Sequence, residues 1–479
     1  MKVILKKTVT IFILISFLFN FAGCRKKTQP NQENKNLPQK IELVWWHLFD
    51  PCDTFIGQIQ AFESEYKNVR ILCKKFSNPL ETEKLIINEI AEGEGPDIFS
   101  IQNTKVQEHH RKIIPIPANI MIPQQFKDTF FAVASDDLIL ETESSVEGIY
   151  ALPLYIDTLA LYYNKSMFRD RLPATDKPGE TWEEIKEQVY ALVKKNNSVE
   201  RFATVGLAAG RSDNIHRAID ILKLLLLQLD TKMFDNGKAI FALQNGTLPG
   251  SGKPFYPGRE ALKVYTSFAL PSYKNYSWNK LITSFTGDSK EVGVFVNKKA
   301  AMIFGYSWLY EEILLQIQAA QKKGHEHLNK EEIGIAPCPQ ISLAENEKSL
   351  DAIADYFALT VSKNSAHPEI AWNFIHFLTS RESLQDYHKK THKPTSRKDM
   401  IEEQSTEKLF GVFARQASFA KSITTINDDS FKIIFSEAID SVVKAKQTIE
   451  EALSLAQRKM NCVIEKQKNP TMDQLCEKI

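Results

Sequence analysis

The stretch "LPLYIDTLALYYNK", residues 152–165, decides the fold. It passes Pro153 and a single acid, Asp157, runs through Leu159, Ala160, Leu161, Tyr162 and Tyr163, and stops at Asn164-Lys165. A nearly unbroken apolar run of this length reads as a buried strand. It lies in the interior of a long chain and carries Tyr155 and Asp157 at its start, so the question is what it connects.

Before it, "IELVWWHLFD" is a strand whose apolar residues Ile41, Leu43, Val44, Trp45 and Trp46 end at His47. Phe55, Ile59, Phe62 and Tyr66 recur at helical spacing, "VRILCKKF" is a second strand, and "ETEKLIINEIAEGEG" is a helix stopped by Gly93 and Gly95. "PDIFSIQ" then gives a third strand. Strand, helix, strand, helix, strand is the pattern of a parallel sheet with helical crossovers. Ligands of such sheets bind beyond the carboxyl ends of the strands, which places His47, Asp50, Gln102 and Asn103 along one crevice.

After residue 165 the pattern starts again. "TWEE", Thr181 to Glu184, is a capping box opening a helix. "RFATVGLAA" is a strand, "HRAIDILKLLLLQL" a buried helix and "REALKVYTSFAL" another. "KKAAMIFGYSW", "EEIGIAPCPQ" and "DYFALTVS" (355–362) read as further strands, and "PEIAWNFIHFLTSRESLQDYHKK" as one helix. The last helical region carries a second capping box at Thr448 to Glu451. A second lobe is being built.

The ends bound the setting. Lys2, Lys6 and Lys7 precede an apolar run at 8–22 that is too short for a comfortable membrane span and reads as a secretory signal. It ends in "FAGC", which resembles a bacterial lipoprotein box with Phe21 in the usual leucine position; Cys24 would then be the lipidated first residue, the alternative being ordinary cleavage near Gly23. Residues 1–23 are thus the expected signal peptide, and 24–40, with Leu37 as the only apolar residue after Cys24, a disordered tether. The remaining chain is 43% hydrophobic overall without a second long apolar run, enough for two to three domains.

A formal charge of +1, from 60 Lys and Arg against 59 Asp and Glu, gives no global attraction for nucleic acid or a membrane surface. Of six cysteines, assigning Cys24 to lipid leaves Cys52, Cys73, Cys338, Cys462 and Cys476, so at least one thiol stays unpaired within the chain. Cys462 with Cys476 could oxidise, but spacing alone does not fix connectivity. His109-His110 and His325-Glu326-His327 lack the i, i+4 spacing of two histidines on one helix face and read as solvated. No cofactor and no metal are expected.

In this order the pieces resemble the extracytoplasmic solute-binding proteins of ABC importers, specifically the carbohydrate-type family 1 that includes maltose-binding protein. The matching stretches are "VWWHLFD", "EGEGPDIFSIQ", "YALPLYIDTLALYYNKSMF", "TWEEI", "AAMIFGYSW", "IGIAPCPQ", "ALTVSKNSAHPEIAWNFIHFLTS" and "KPTSRKD", spread over about residues 41–400. The resemblance implies an α/β, periplasmic-binding-protein-like fold. Two discontinuous lobes, 41–156 with 362–407 and 157–361 with 408–479, would be joined by a multi-strand hinge around a ligand cleft. The strand at 152–165 would be the first crossing between lobes, with Asp157 in the hinge, and the strand at 355–362 the return. It further implies a monomer held at the cell membrane by Cys24, delivering a small solute to permease subunits, with transport rather than sensing as the first reading.

A sugar presents flat C–H faces and a rim of hydroxyls, so its site needs aromatic platforms with carboxylates and amides around them. Trp46, Tyr155, Tyr306 and Trp308 are the candidate platforms; His47, Asp50, Asn103, Asp157, Arg211, Asn214 and Asp355 are the polar candidates. By the family's register, Asp157 and Trp308 match ligand-contacting positions, the others being placed by strand ends. Family members that bind linear maltodextrins carry an aromatic, an acid and an arginine soon after "PDIF"; this chain reads "SIQNTKV" there, which points away from maltose and toward another uncharged or amino sugar or an oligosaccharide. Polyamine or glycerol phosphate binding would want more cleft acids or arginines. An exported glycosidase is the enzymatic alternative, but no GxSxG, HExxH, phosphate loop or identifiable acid pair is present, so a non-catalytic protein is expected.

Overall fold

The computed structural model describes residues 40–468 apart from 142–144, 197–200, 244–245, 248–251, 288–289, 342–349, 424 and 426. The signal run, Cys24, most of the tether and Cys476 lie outside the described residues, among which no helix is long and apolar enough to cross a membrane.

Two mixed sheets organise the chain, as the two-lobed α/β expectation requires. In the first, the strand order is Val69–Phe76, Ile41–Leu48, Ile98–Gln102, Phe357–Ser362, Ile113–Ile114, with Leu152–Pro153 also paired to Phe357–Ser362. Ile41–Leu48 runs parallel to both neighbours. Its inward Leu43 and Trp45 are fully buried, and the Trp45 ring meets Phe55 and Phe374 edge-on at 4.9 and 5.6 Å. The helix Pro79–Glu92 starts where the Asn78 side chain accepts from the Glu81 amide and ends at Gly93, whose φ of 86° suits glycine.

In the second sheet Ala160–Asn164 lies between the antiparallel strands Ala300–Gly305 and Ile333–Ala336, and Phe202–Leu207 runs parallel to Ala300–Gly305. The helix Trp182–Leu192 begins with the capping box formed by Thr181 and Glu184, and buries Trp182 against Phe304. The helices Asp428–Val443 and Ile449–Lys468 join this lobe, with Phe435 at 4.9 Å from Phe241 and Asn461 Oδ1 accepting from the Ala239 amide.

The opening stretch is not one strand. Leu152–Pro153 pairs in the first sheet and Ala160–Asn164 in the second; residues 154–159 pass between them, making the isolated bridges Tyr155–Thr395 and Thr158–Ala354 on the way. Leu154, Tyr155, Ile156 and Leu159 are all buried on the way. Apart from Asp157 and Thr158 the apolar pattern runs on where the sheet changes, which is why the sequence reads as a continuous strand.

The return passage is displaced as well. Phe357–Ser362 is antiparallel to Ile98–Gln102 and already belongs to the first sheet. The sequence boundary at 361/362 thus falls at the end of a first-sheet strand, and the passage itself is at Ala354 to Tyr356. There the crossings are laced together: Leu159 N donates to Ile353 O, Ala354 N to Lys421 O and Asp355 N to Asp157 O, while Ala352–Ile353 pairs in parallel with Ala420–Lys421. The segment read as a single helix from Pro368 is two, because Ser380 caps a new start by accepting from the Ser383 amide. Cys52 and Cys73 form a disulfide that staples the turn after the first strand to its neighbour Val69–Phe76; Cys462 is also disulfide-bonded, and Cys338 is a buried free thiol.

Candidate functional site

A cavity of about 330 Å³ opens where the crossings meet the helix N-termini of the second lobe. Gln102 and Thr104, just past the third strand of the first sheet, form one wall; Ile353, Ala354 and Asp355 form the back; Arg217, Asp220, Lys223, Tyr306, Asp428 and Lys432 come from the second lobe. Helical spacing explains the last group. Asp220 and Lys223 lie three apart on Ala218–Gln228, so they share a face with Arg217 at its start, and Asp428, Lys432 and Ser436 lie four apart on Asp428–Val443.

The charges in this cavity pair with one another. Asp428 takes Lys223 and Lys432 at 2.7 Å each, and Arg217 meets Asp220 at 3.3 Å. Burial opposes ionisation of Asp428, but the two ammoniums outweigh it and hold the carboxyl well below the usual range. Asp355 accepts a 2.7 Å hydrogen bond from Gln102 Nε2, linking a crossing to the first lobe. Its burial, and then the nearby Asp220, push its pKa up. The Arg217 guanidinium lies 5.7 Å from the Tyr306 ring and 5.3 Å from the Trp308 ring.

Three buried atoms of the cavity residues have no hydrogen-bond partner among the described residues: Thr104 Oγ1, Arg217 Nε and Tyr306 Oη. Buried polar atoms are nearly always paired. All three are enclosed in the cavity wall, so a polar solute would complete them only where the wall rearranges.

Of the residues expected from sequence, Gln102, Tyr306 and Asp355 line this cavity. Trp308 is 43% exposed at the start of the helix Leu309–Lys322 and reaches the site only through Arg217. Asp157 is buried and faces away from solvent: it accepts from Ser307 N, Ser307 Oγ (2.6 Å) and Thr158 N. His47, Asp50 and Tyr155 close into a cluster of their own. Lys393 Nζ lies 2.7 Å from Asp50 and 4.4 Å from the Tyr155 ring, Tyr387 Oη donates to Asp50, and His47 sits between Asp50 and Ser100. Asn103 is buried, bonding Asp137 and Ser422, and Asn214 bonds the Trp278 ring N–H. Arg211 is paired with Asp213, and Trp46 packs on Phe76 under Lys74. The strand-end rule points to the edge of the sheet where this cavity opens, but several of these groups satisfy each other instead of facing it.

Sequence reasoning missed Arg217, Asp220, Lys223, Asp428 and Lys432. A signal was present. The helix "HRAIDILKLLLLQL" is apolar nearly all round, yet its three charged residues, Arg217, Asp220 and Lys223, recur every third position. A polar stripe on a buried helix must face something polar.

Two α/β lobes with a polar cavity at their laced crossings define a two-lobed solute-binding architecture. A family model described as bacterial extracellular solute-binding protein matches residues 77–385, and the chain belongs to that family. It is 21% identical over 394 residues to the galactooligosaccharide-binding protein of Bacillus subtilis (strain 168), covering 80% of this chain and 79% of that one. Among solved structures, the sugar-binding protein MalE from Xanthomonas citri matches with a TM-score of 0.68 at 19% identity, over 89% of this chain and 98% of that chain. The cyclic alpha-maltosyl-1,6-maltose binding protein from Arthrobacter globiformis matches with a TM-score of 0.67 at 16% identity, over 88% and 99%. At these identities the structures establish the fold.

Proposed function

We propose that this chain binds an uncharged sugar or short oligosaccharide in the cavity between its lobes and delivers it to an ABC import permease, held outside the cell by a lipid on Cys24. The observation that carries the reading is the cavity itself: it lies between the two lobes, and its ionic groups largely pair with one another. A charged solute would have to break an ion pair already made, whereas neutral hydroxyls add hydrogen bonds to groups that stay paired. The names of the relatives, a galactooligosaccharide binder and a MalE sugar binder, support the same solute class. They are binding proteins, which supports a non-catalytic role. The lobes would be the residues around the two sheets, with 154–159 and 354–356 as two of the connections between them, and the working form a monomer.

Thermal-shift measurements against galactose, galactobiose, maltose, mannobiose and tagatose test it, because a ligand that binds only the folded state raises its melting temperature. A concentration-dependent rise with at least one sugar is expected. No shift with any of them, alongside a shift with a polyamine or glycerol phosphate, overturns the sugar assignment. Metabolic labelling with palmitate tests the anchor: label on the wild type but not on Cys24→Ser supports it, and no label on either removes it.

A further inference from the structure

His216 stands on the wall of the main cavity, in the turn just before the helix Ala218–Gln228. Its ring is held from one side. Nδ1 lies 3.0 and 3.1 Å from the two carboxylate oxygens of Glu291, and the His216 amide donates to the same group at 2.8 Å. A carboxylate has no hydrogen to give, so Nδ1 carries the proton of this contact. Nε2 lies on the opposite edge of the ring and has no hydrogen-bond partner among the described residues, and the side chain, 43% exposed, lines the cavity.

Glu291 accounts for the charge on that ring. Its side chain is 2% exposed, and among the described residues its hydrogen-bond and ion-pair partners are the amide and ring of His216 alone. A carboxylate so buried calls for a positive partner. The other charges around the cavity are already matched: Arg217 pairs with Asp220, Asp428 with Lys223 and Lys432, and Asp355 accepts from Gln102. The hydrogen bond from Glu291 lifts the His216 pKa above the usual histidine value, against the ring's burial and the like charges of Lys290 and Arg217. An imidazolium results, with one N–H fixed in the wall and the other turned to the open side. Anchored in this way, the ring loses little freedom when a solute arrives.

We infer that His216 is a solute-contacting residue, with Glu291 as its positioning residue, and that its Nε2–H donates a charge-assisted hydrogen bond to a hydroxyl of the bound sugar. The inference rests on the sugar reading above and adds a dependence on pH. A proton that strengthens binding is itself held more tightly in the complex, so affinity is highest while His216 is charged and falls as pH rises through its raised pKa. Above that point the neutral ring turns a lone pair to the cavity, and the donor is lost.

Isothermal titration with galactobiose, maltose and mannobiose at pH 6, 7, 8 and 9 tests this. For a sugar that binds, affinity is expected to fall about threefold or more over that range, because a charge-assisted hydrogen bond is about twice as strong as a neutral one. Titrations in two buffers of different ionisation enthalpy should show proton uptake on binding at the middle of the fall. His216→Gln should remove both the fall and the uptake, and Glu291→Gln, which keeps the shape without the charge, should move the fall to lower pH. The His216 ring resonance, identified by its loss in His216→Gln, should titrate above about pH 6.5 in the free protein and drop in Glu291→Gln, a reading that needs no sugar. An affinity independent of pH, or a fall that survives His216→Gln and so belongs to a group such as Asp157 or Asp355, overturns the inference and leaves the sugar reading standing. A ring midpoint at or below about 6.5 does the same. Failure of all three sugars to bind at any pH overturns both.

Discussion

The Asp157 carboxylate accepts both the amide and the hydroxyl of Ser307, the latter at 2.6 Å. Asp157 stands on the first passage between the sheets, and Ser307 follows the end of a second-sheet strand, so the bonds pin the crossing to the lobe it enters. A residue that looked like a hinge-borne ligand group is a clasp. Thr158, beside it, bridges to Ala354 on the return passage, and Gln416 bonds Thr158 Oγ1 and Leu159 O. The two passages therefore share one set of fixed contacts.

That clasp predicts a pH dependence. Burial raises the Asp157 pKa to about 7 despite its bonds from Ser307, and burial likewise raises Asp137, which accepts from Asn103, Ser422 and Tyr356, to about 6. A carboxyl whose folded pKa exceeds its unfolded value binds more protons when folded, so these two contribute stability that is present below about pH 4 and lost as pH rises through 6 to 7. Asp50 and Asp428 act oppositely: burial is outweighed by their His47, Lys393, Lys223 and Lys432 partners, and their contribution disappears only at acid pH. Urea midpoints are expected to decline from pH 5 to pH 8, and Asp157→Asn to flatten that decline. An Asp157→Asn slope equal to wild type would show that the carboxyl titrates normally.

Tyr306→Phe separates binding from folding. Tyr306 Oη is buried without a partner, so removing it costs the free protein no hydrogen bond. The melting temperature should stay level or rise. Sugar affinity should fall by about 0.5–1.5 kcal/mol, the net worth of one hydrogen bond. Unchanged affinity would place that hydroxyl outside the contact set.

The strands and most helices were legible because each carries its own local signal: Trp45 and Leu43 alternate inward, Thr181 and Glu184 close a capping box, and Gly93 stops a helix. The junctions were not. Residues 154–159 stay buried while changing sheets, Asp157 and Thr158 included, since a passage packed between lobes is as enclosed as a strand. The lining of the candidate cavity was legible only in part for a related reason. Tyr306 and Asp355 sit at strand ends, where position alone suggests a cleft, whereas Lys223 and Asp428 are 205 residues apart and meet only through the packing of two helices. Nor can position tell a cleft carboxylate from one such as Asp50, consumed by a lysine 343 residues away.

Replacing Cys52 and Cys73 together by alanine should lower stability by about 3 kcal/mol, the loop-entropy scale for their separation of 21 residues. The staple lies in the first lobe next to Phe76, whose carbonyl receives the Phe49 amide. Equal urea midpoints with and without reductant would mean the bond adds nothing to the fold.

The last prediction concerns closure. Lys105, past the third strand of the first sheet, meets Asp429 on the second-lobe helix Asp428–Val443 at 3.7 Å, while its other contacts, Glu83 and Glu108, stay within its own lobe. Asp429 is half-exposed, so the pair is worth at most about 1 kcal/mol. Removing it leaves Lys105 paired, so Asp429→Ala should leave each lobe intact and shift only the balance between closed and open forms. A sugar touching both lobes makes its full contacts only when they are together, so it moves that balance by its differential affinity, and each packed lobe resists deformation while the short crossings do not. Solution scattering should show the radius of gyration of the wild type falling when the bound sugar is saturating. Asp429→Ala should start larger, reach the same bound value, and bind about two- to fivefold more weakly. Scattering curves that do not change on saturation, with binding confirmed by titration, would rule out lobe closure and leave the crossings as rigid struts.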